Sequence, residues 1–138
     1  MANRIATVLG AGFLLVGVLG FIMPEVLGMH LSAAHNIVHL VTGAASLYFG
    51  LKGTVSAAKT FCIAFGAVYL LLGVAGFIAG SDGVPGVPGP HDAKLLKIIP
   101  GVLEFGSMDH GVHILLGAIY LIGGLMTRAV RTRNAARA

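Results

Sequence analysis

His35-Asn36-Ile37-Val38-His39-Leu40-Val41-Thr42-Gly43 places two imidazoles and an amide in a run otherwise apolar enough to lie in a bilayer. The chain repeats the device further on, in Asp109-His110-Gly111-Val112-His113-Ile114-Leu115-Leu116-Gly117. His39 and His113, Gly43 and Gly117, Val38 and Val112, and Ala44 and Ala118 all stand 74 residues apart. A second match has an offset of 56: Phe13-Leu-Leu-Val-Gly17-Val-Leu-Gly20-Phe21-Ile22 against Tyr69-Leu-Leu-Leu-Gly73-Val-Ala-Gly76-Phe77-Ile78. The offset grows by 18, from 56 to 74, so the second copy carries an insertion between its two segments.

The composition fits this reading. The 138 residues are 57% hydrophobic and 10% charged. Water-soluble domains carry roughly a quarter charged residues, so a soluble fold is excluded as the expectation. The 21 glycines suit membrane helices, which use small residues to bring backbones together. The single cysteine, Cys62, allows no intrachain disulfide and reads as a buried, inert thiol.

Four apolar segments approach the roughly 20 residues needed to cross a hydrocarbon core. They lie at about residues 5–22, 32–51, 60–79 and 110–127. Only helices and closed barrels satisfy every backbone group in lipid, and four segments are too few to close a barrel. The expectation is an all-α integral membrane four-helix bundle, a single transmembrane domain spanning the chain. Two hairpin repeats run parallel, because an even number of helices returns the chain to its starting side. Their pseudo-twofold axis is expected along the membrane normal. The first segment does not read as a signal peptide, having a copy downstream and no small-x-small cleavage site before Pro24.

Charge sets the orientation. Arg4, Lys52, Lys59, Arg128, Arg131, Arg133 and Arg137 flank one side. Glu25, Asp82, Asp92, Glu104 and Asp109 flank the other, with only Lys94 and Lys97 as bases. The positive side is cytoplasmic, which places both termini there and all six histidines toward the outer surface. The Arg-rich tail reads as a topology and headgroup anchor, with no nucleic acid as partner. Residues 81–90 (SDGVPGVPGP) are too rich in Pro and Gly for a helix and read as a mobile outer linker. Residues 93–105 read in part as a short interfacial helix.

Each segment carries two glycines seven apart: Gly10/Gly17, Gly43/Gly50, Gly66/Gly73 and Gly117/Gly124. Seven residues are nearly two turns, so each helix has a smooth packing stripe. The histidines share these faces, His35 and His39 on the second helix, Asp109 and His113 on the fourth. Ionisable groups inside a membrane are costly, which makes them functional suspects. His35, His39, Asp109, His110 and His113 offer a donor set for a transition metal, although His110 points away from His113. His39 and His113 could alternatively bind a b-type haem axially. Proton handling lacks a second half toward the cytoplasm. Against these stands a structural role, with Ser32 and Asp109 as helix N-caps and the histidines as interhelical hydrogen-bonding groups.

The structural role is the primary expectation. No nucleophile–base pair or phosphate-cradling loop stands out, so the chain reads as non-catalytic with no cofactor. It reads as a scaffold or accessory subunit in a homo-oligomer or larger membrane complex, assembling through its Gly-lined faces among membrane lipids. At His35–Gly43, His113–Gly117 and Gly17–Ile22, it resembles a family of small bacterial four-helix membrane proteins known only as a domain of unknown function. The likeness covers most of residues 5–126 and implies a plasma-membrane protein of four helices, with no assigned activity. The Val-Pro-Gly loop departs from it.

Overall fold

A computed structural model describes residues 1–128. Arg131, Arg133 and Arg137, part of the expected cytoplasmic anchor, lie outside the described residues. Four long helices account for most of the chain: α1 (Ala2–Leu19), α2 (Ala33–Leu51), α3 (Val55–Ala79) and α4 (Ser107–Leu125). A 3-10 turn, Val26–Gly28, lies between α1 and α2, and three strands occupy the α3–α4 connection: β1 (Ser81–Gly83), β2 (Asp92–Ile99) and β3 (Leu103–Phe105).

Local chemistry explains the helix starts. The Ser32 and Thr54 hydroxyls accept from the amides of His35 (3.2 Å) and Ala57 (3.1 Å), satisfying N-terminal donors of α2 and α3. α3 begins at Val55, five residues before the expected position, because the Thr54 hydroxyl caps it. α4 begins at Ser107, so Asp109 is its third residue and not its N-cap. From there its carboxylate reaches back to the Gly106 amide at 2.8 Å.

α1, α3 and α4 are each long and apolar enough to cross a membrane. α2 has the length, but its inward face is polar: His35, Asn36, His39, Thr42 and Ser46 are buried. Its outward face is Ile37, Val38, Val41, Tyr48 and Leu51, all substantially exposed.

The helices pack as two tight pairs, α1 on α2 and α3 on α4, with lighter contact between pairs. Glycine permits the closeness. A methyl group added at Gly10 would lie 2.8 Å from the Leu47 amide nitrogen, and one at Gly66 would lie 2.7 Å from that of Leu121. At Gly17 it would strike Leu40, at Gly73 Ile114, at Gly50 Thr7 and at Gly124 Ile63. Gly43 faces the Gly10 carbonyl as Gly117 faces the Gly66 carbonyl. Each contact of the first pair recurs in the second with residue numbers raised by 56 or 74. All eight stripe glycines are thus spent within the chain. Between the pairs lies a core of Ala2, Ala6, Phe13, Ala58, Phe61, Cys62, Tyr69 and Tyr120. There the Ser46 hydroxyl bonds the Ala6 carbonyl at 2.8 Å and meets the Tyr120 hydroxyl at 2.7 Å.

The fold is not purely all-α. β1, β2 and β3 form an antiparallel sheet in the order β1-β2-β3, where sequence reading expects a linker and an interfacial helix. The reason is Pro100-Gly101. Proline presets the second position of a type II turn and glycine supplies the positive φ of the third. Gly101 has φ +76° and the Val102 amide closes the turn on the Ile99 carbonyl at 2.9 Å. Nor does the Val-Pro-Gly stretch hang free. The buried Glu104 carboxylate accepts from the amides of Gly86 (2.7 Å) and Gly101 (2.8 Å), Val87 is buried, and Lys97 Nζ donates to the Val84 carbonyl at 3.0 Å.

Candidate functional site

At the end of the bundle that carries the sheet, α2 and α4 bring polar side chains together. Helical spacing sets His35 and His39 on one face of α2, their ring centroids 4.3 Å apart. The same spacing on α4 sets Asp109 and His113 together, with His113 6.0 Å from His35. Phe105, the last residue of β3, stands edge-on over both His35 (4.8 Å) and His113 (5.1 Å). From the other side Phe13 of α1 packs on His39 at 5.5 Å and Tyr69 of α3 on His113 at 5.3 Å.

The cluster is anchored by His30, in the segment leading into α2 and fully buried. Asp109 Oδ2 accepts from the His30 amide at 3.1 Å and lies 3.2 Å from His30 Nδ1. His30 Nε2 lies 3.0 Å from the Pro90 carbonyl oxygen. Both ring nitrogens face acceptors, which a protonated imidazole satisfies best because it donates from each. The Asp109 hydrogen bond raises the His30 pKa above its ordinary 6.5, outweighing burial, which opposes the charge. The ring therefore holds together three segments: the Val-Pro-Gly loop, the approach to α2 and the start of α4. Beside it, Asp92 accepts from the Ser107 amide (2.8 Å) and hydroxyl (2.7 Å), fixing β2 to the first turn of α4.

Other histidines have clear duties. His35 Nδ1 donates to the His30 carbonyl at 2.9 Å. His110 turns away to α3, where its ring fills the notch over Gly76, packs on Phe77 and donates from Nε2 to the Lys94 carbonyl at 2.8 Å.

Three buried polar atoms remain unpartnered within the cluster: His39 Nδ1, His113 Nδ1 and Asp109 Oδ1. Their side chains line one cavity of about 270 Å³, bordered by α1, α2 and α4. Its walls are otherwise apolar, including Leu9, Phe13, Val16, Val112 and Leu116. Of the sequence-derived candidates, His35, His39, Asp109 and His113 thus share one site and His110 does not. Among the described residues no three His, Cys, Asp or Glu side chains are arranged to hold a metal ion.

Two residues essential to this architecture were invisible to helical spacing. His30 and Glu104 lie in loop and strand, outside any helical face. The available signals were the Pro100-Gly101 turn, which implies a hairpin around Glu104, and the position of His30 two residues before the Ser32 cap.

Neither a curated protein nor a solved structure matches the chain. A family profile does, over residues 3–126, and the site just described lies entirely inside that span. The chain therefore belongs to the family described as Domain of unknown function (DUF4383).

Proposed function

We propose that this protein is a non-catalytic, four-pass plasma-membrane protein with cytoplasmic termini, acting as a scaffold or accessory subunit in a larger membrane assembly. The observation that carries this reading is an inside-out distribution of side chains. Val8, Leu15, Val68, Leu71, Ile78, Leu115 and Ile122 point outward along α1, α3 and α4, while the buried faces of these helices are glycine and alanine with Phe13, Phe61, Cys62, Tyr69, Tyr120 and the polar Asp109, His110 and His113. A water-soluble bundle has the reverse pattern, whereas lipid accepts the apolar exterior at no cost. The outward face of α2 is equally apolar, which makes it the fourth span despite its polar interior.

The repeated contacts at offsets of 56 and 74 support a duplicated hairpin. Counterparts meet at its centre, Phe13 against Tyr69 and Ser46 against Tyr120, as expected for an axis along the membrane normal. The non-catalytic reading is supported by how the potential nucleophiles are used. The Ser46 hydroxyl is committed to Ala6 and Tyr120, and the Cys62 thiol to the Ala2 carbonyl at 3.6 Å. Because the stripe glycines pack internally, subunit contacts are assigned to the outward apolar faces.

Two measurements test the reading. In a Cys62→Ala background, a membrane-impermeant maleimide should label Ser81→Cys in intact cells and Ser56→Cys only after permeabilisation. Labelling of both in intact cells, or the reverse order, removes the proposed topology. Native mass spectrometry in mild detergent should show more than one copy or a copurifying subunit, and no stoichiometric transition metal or haem. A bare monomer refutes the assembly role, and about one metal or haem per chain returns the histidines to ligation.

A further inference from the structure

The cavity between α1 and α4 combines features that the scaffold reading does not use. Its lining includes the side chains of His39, His113 and Asp109, each more than nine-tenths buried and each with an unpartnered buried atom. Orphaned polar atoms in a low-dielectric site are costly and call for a partner. Four rings line the space: Phe13, His35, His39 and His113. Flat aromatic walls favour a flat ring between them. A volume of about 270 Å³ exceeds the roughly 150 Å³ of a cavity that takes benzene. It falls below the ~300–1,000 Å³ of sites that enclose a whole drug-sized ligand. The space therefore suits a substituted ring, with the rest of the molecule outside.

The entrance tells where that remainder goes. Phe105 and the hairpin cover the histidines from the loop side. Most of its lining comes from α1 and α4, helices whose outward faces are apolar, and Gly12 on α1 borders it with nothing within 4 Å of where a Cβ would stand. The residue 56 positions on, at the corresponding place in α3, is Val68. Leu27, also part of the lining, holds φ +56°, a strained conformation for a leucine.

We propose that this cavity binds the oxygen-bearing ring of a quinone-class lipid, its apolar tail running out between α1 and α4 into the bilayer. A neutral imidazole offers one donor and one acceptor, so His39 and His113 can meet ring oxygens in either the carbonyl or the hydroxyl form. The proposal concerns binding and assigns no electron transfer. It relies on the four-pass reading only for the ligand's route, and binding in detergent is measured separately from topology.

The test is equilibrium binding of decylubiquinone to the purified full-length protein in detergent, alongside n-decylbenzene, which has a ring and tail but no oxygens. Saturable binding should favour decylubiquinone by at least tenfold. His39→Leu/His113→Leu should abolish that preference, and Gly12→Phe, which fills the cavity from a position where a side chain meets nothing, should abolish binding of both. Helicity and thermal midpoint measured on each variant separate loss of the site from loss of the fold. If the double variant does not fold, Gly12→Phe together with the two-ligand comparison decides the matter. Absence of saturable binding, equal affinity for the two ligands, or undiminished binding to folded Gly12→Phe overturns the proposal.

Discussion

At the scale of single residues, the helical glycines divide into two populations, one pressed against neighbouring backbone or side chains and one facing open space. Gly66 sits where α3 meets α4, and a methyl group there would press on the Leu121 amide nitrogen and the Gly117 carbonyl oxygen, at 2.7 and 2.9 Å. Backbone cannot rotate aside as a side chain can. Gly66→Ala should therefore cost about 1–3 kcal/mol, the range for overpacking a filled interface. Gly111, also helical, has nothing within 4 Å of a built Cβ. Gly111→Ala should be neutral or gain up to about 1 kcal/mol, since alanine is the better helix former. Chemical unfolding of both variants in the same detergent checks the contrast, and equal effects would mean that the α3–α4 interface yields more than its backbone contacts allow. The seven-residue spacing made the packing glycines legible because a helix turns that spacing into a stripe. His30 was not legible, because its partners, Asp109 and Pro90, are distant in sequence and come together only when the loop folds over the bundle.

At the scale of elements, the three-stranded sheet is the main departure from expectation. A run such as Lys94-Leu-Leu-Lys97-Ile-Ile has hydrophobic content that serves either helix or strand, and its length does not arbitrate. The turn at Pro100-Gly101 does, by folding the run back on itself. The sheet is held by charged groups whose ionisation gives it a pH dependence. For His30 the folded pKa is raised above 6.5, so its contribution is full below that value and is lost as pH rises through the raised one. For Asp92 and Glu104 burial works against the charge, but hydrogen bonds outweigh it: Ser107 and the Lys94 amide at Asp92, the Gly101 and Gly86 amides at Glu104. Both carboxyls fall below their ordinary 3.8 and 4.5, so their contributions are present above those values and are lost as pH falls through the lowered ones. Hydrogen exchange of the β2 and β3 amides should thus show greatest protection between about pH 5 and 6.5, declining on both sides. His30→Gln should remove the alkaline decline and keep the acid one. An unchanged alkaline limb in that variant would show that His30 does not tie the loop to α4.

At the scale of the whole molecule, composition and length already gave a mostly helical chain with spans fit for a membrane, because lipid permits few other arrangements. α1 pairs with α2 and α3 with α4 through the glycine stripes, which have to face something. The sheet, by contrast, lies in the α3–α4 connection, outside the helices, where turn chemistry decides. The polar inner face of α2 bears on how the chain is made. A segment offered alone to the insertion machinery must move His35, Asn36 and His39 out of water together, and each works against partition into lipid. With α1 already alongside, Asn36 meets Gly20 and Leu40 meets Gly17, so the neighbour provides a matching surface at the moment of entry. On the proposed four-pass arrangement, α2 is accordingly a passenger of α1, and the two are expected to enter as a unit during synthesis. A bulky residue at Gly17 would then register first in the nascent chain, as a second helix left outside the bilayer.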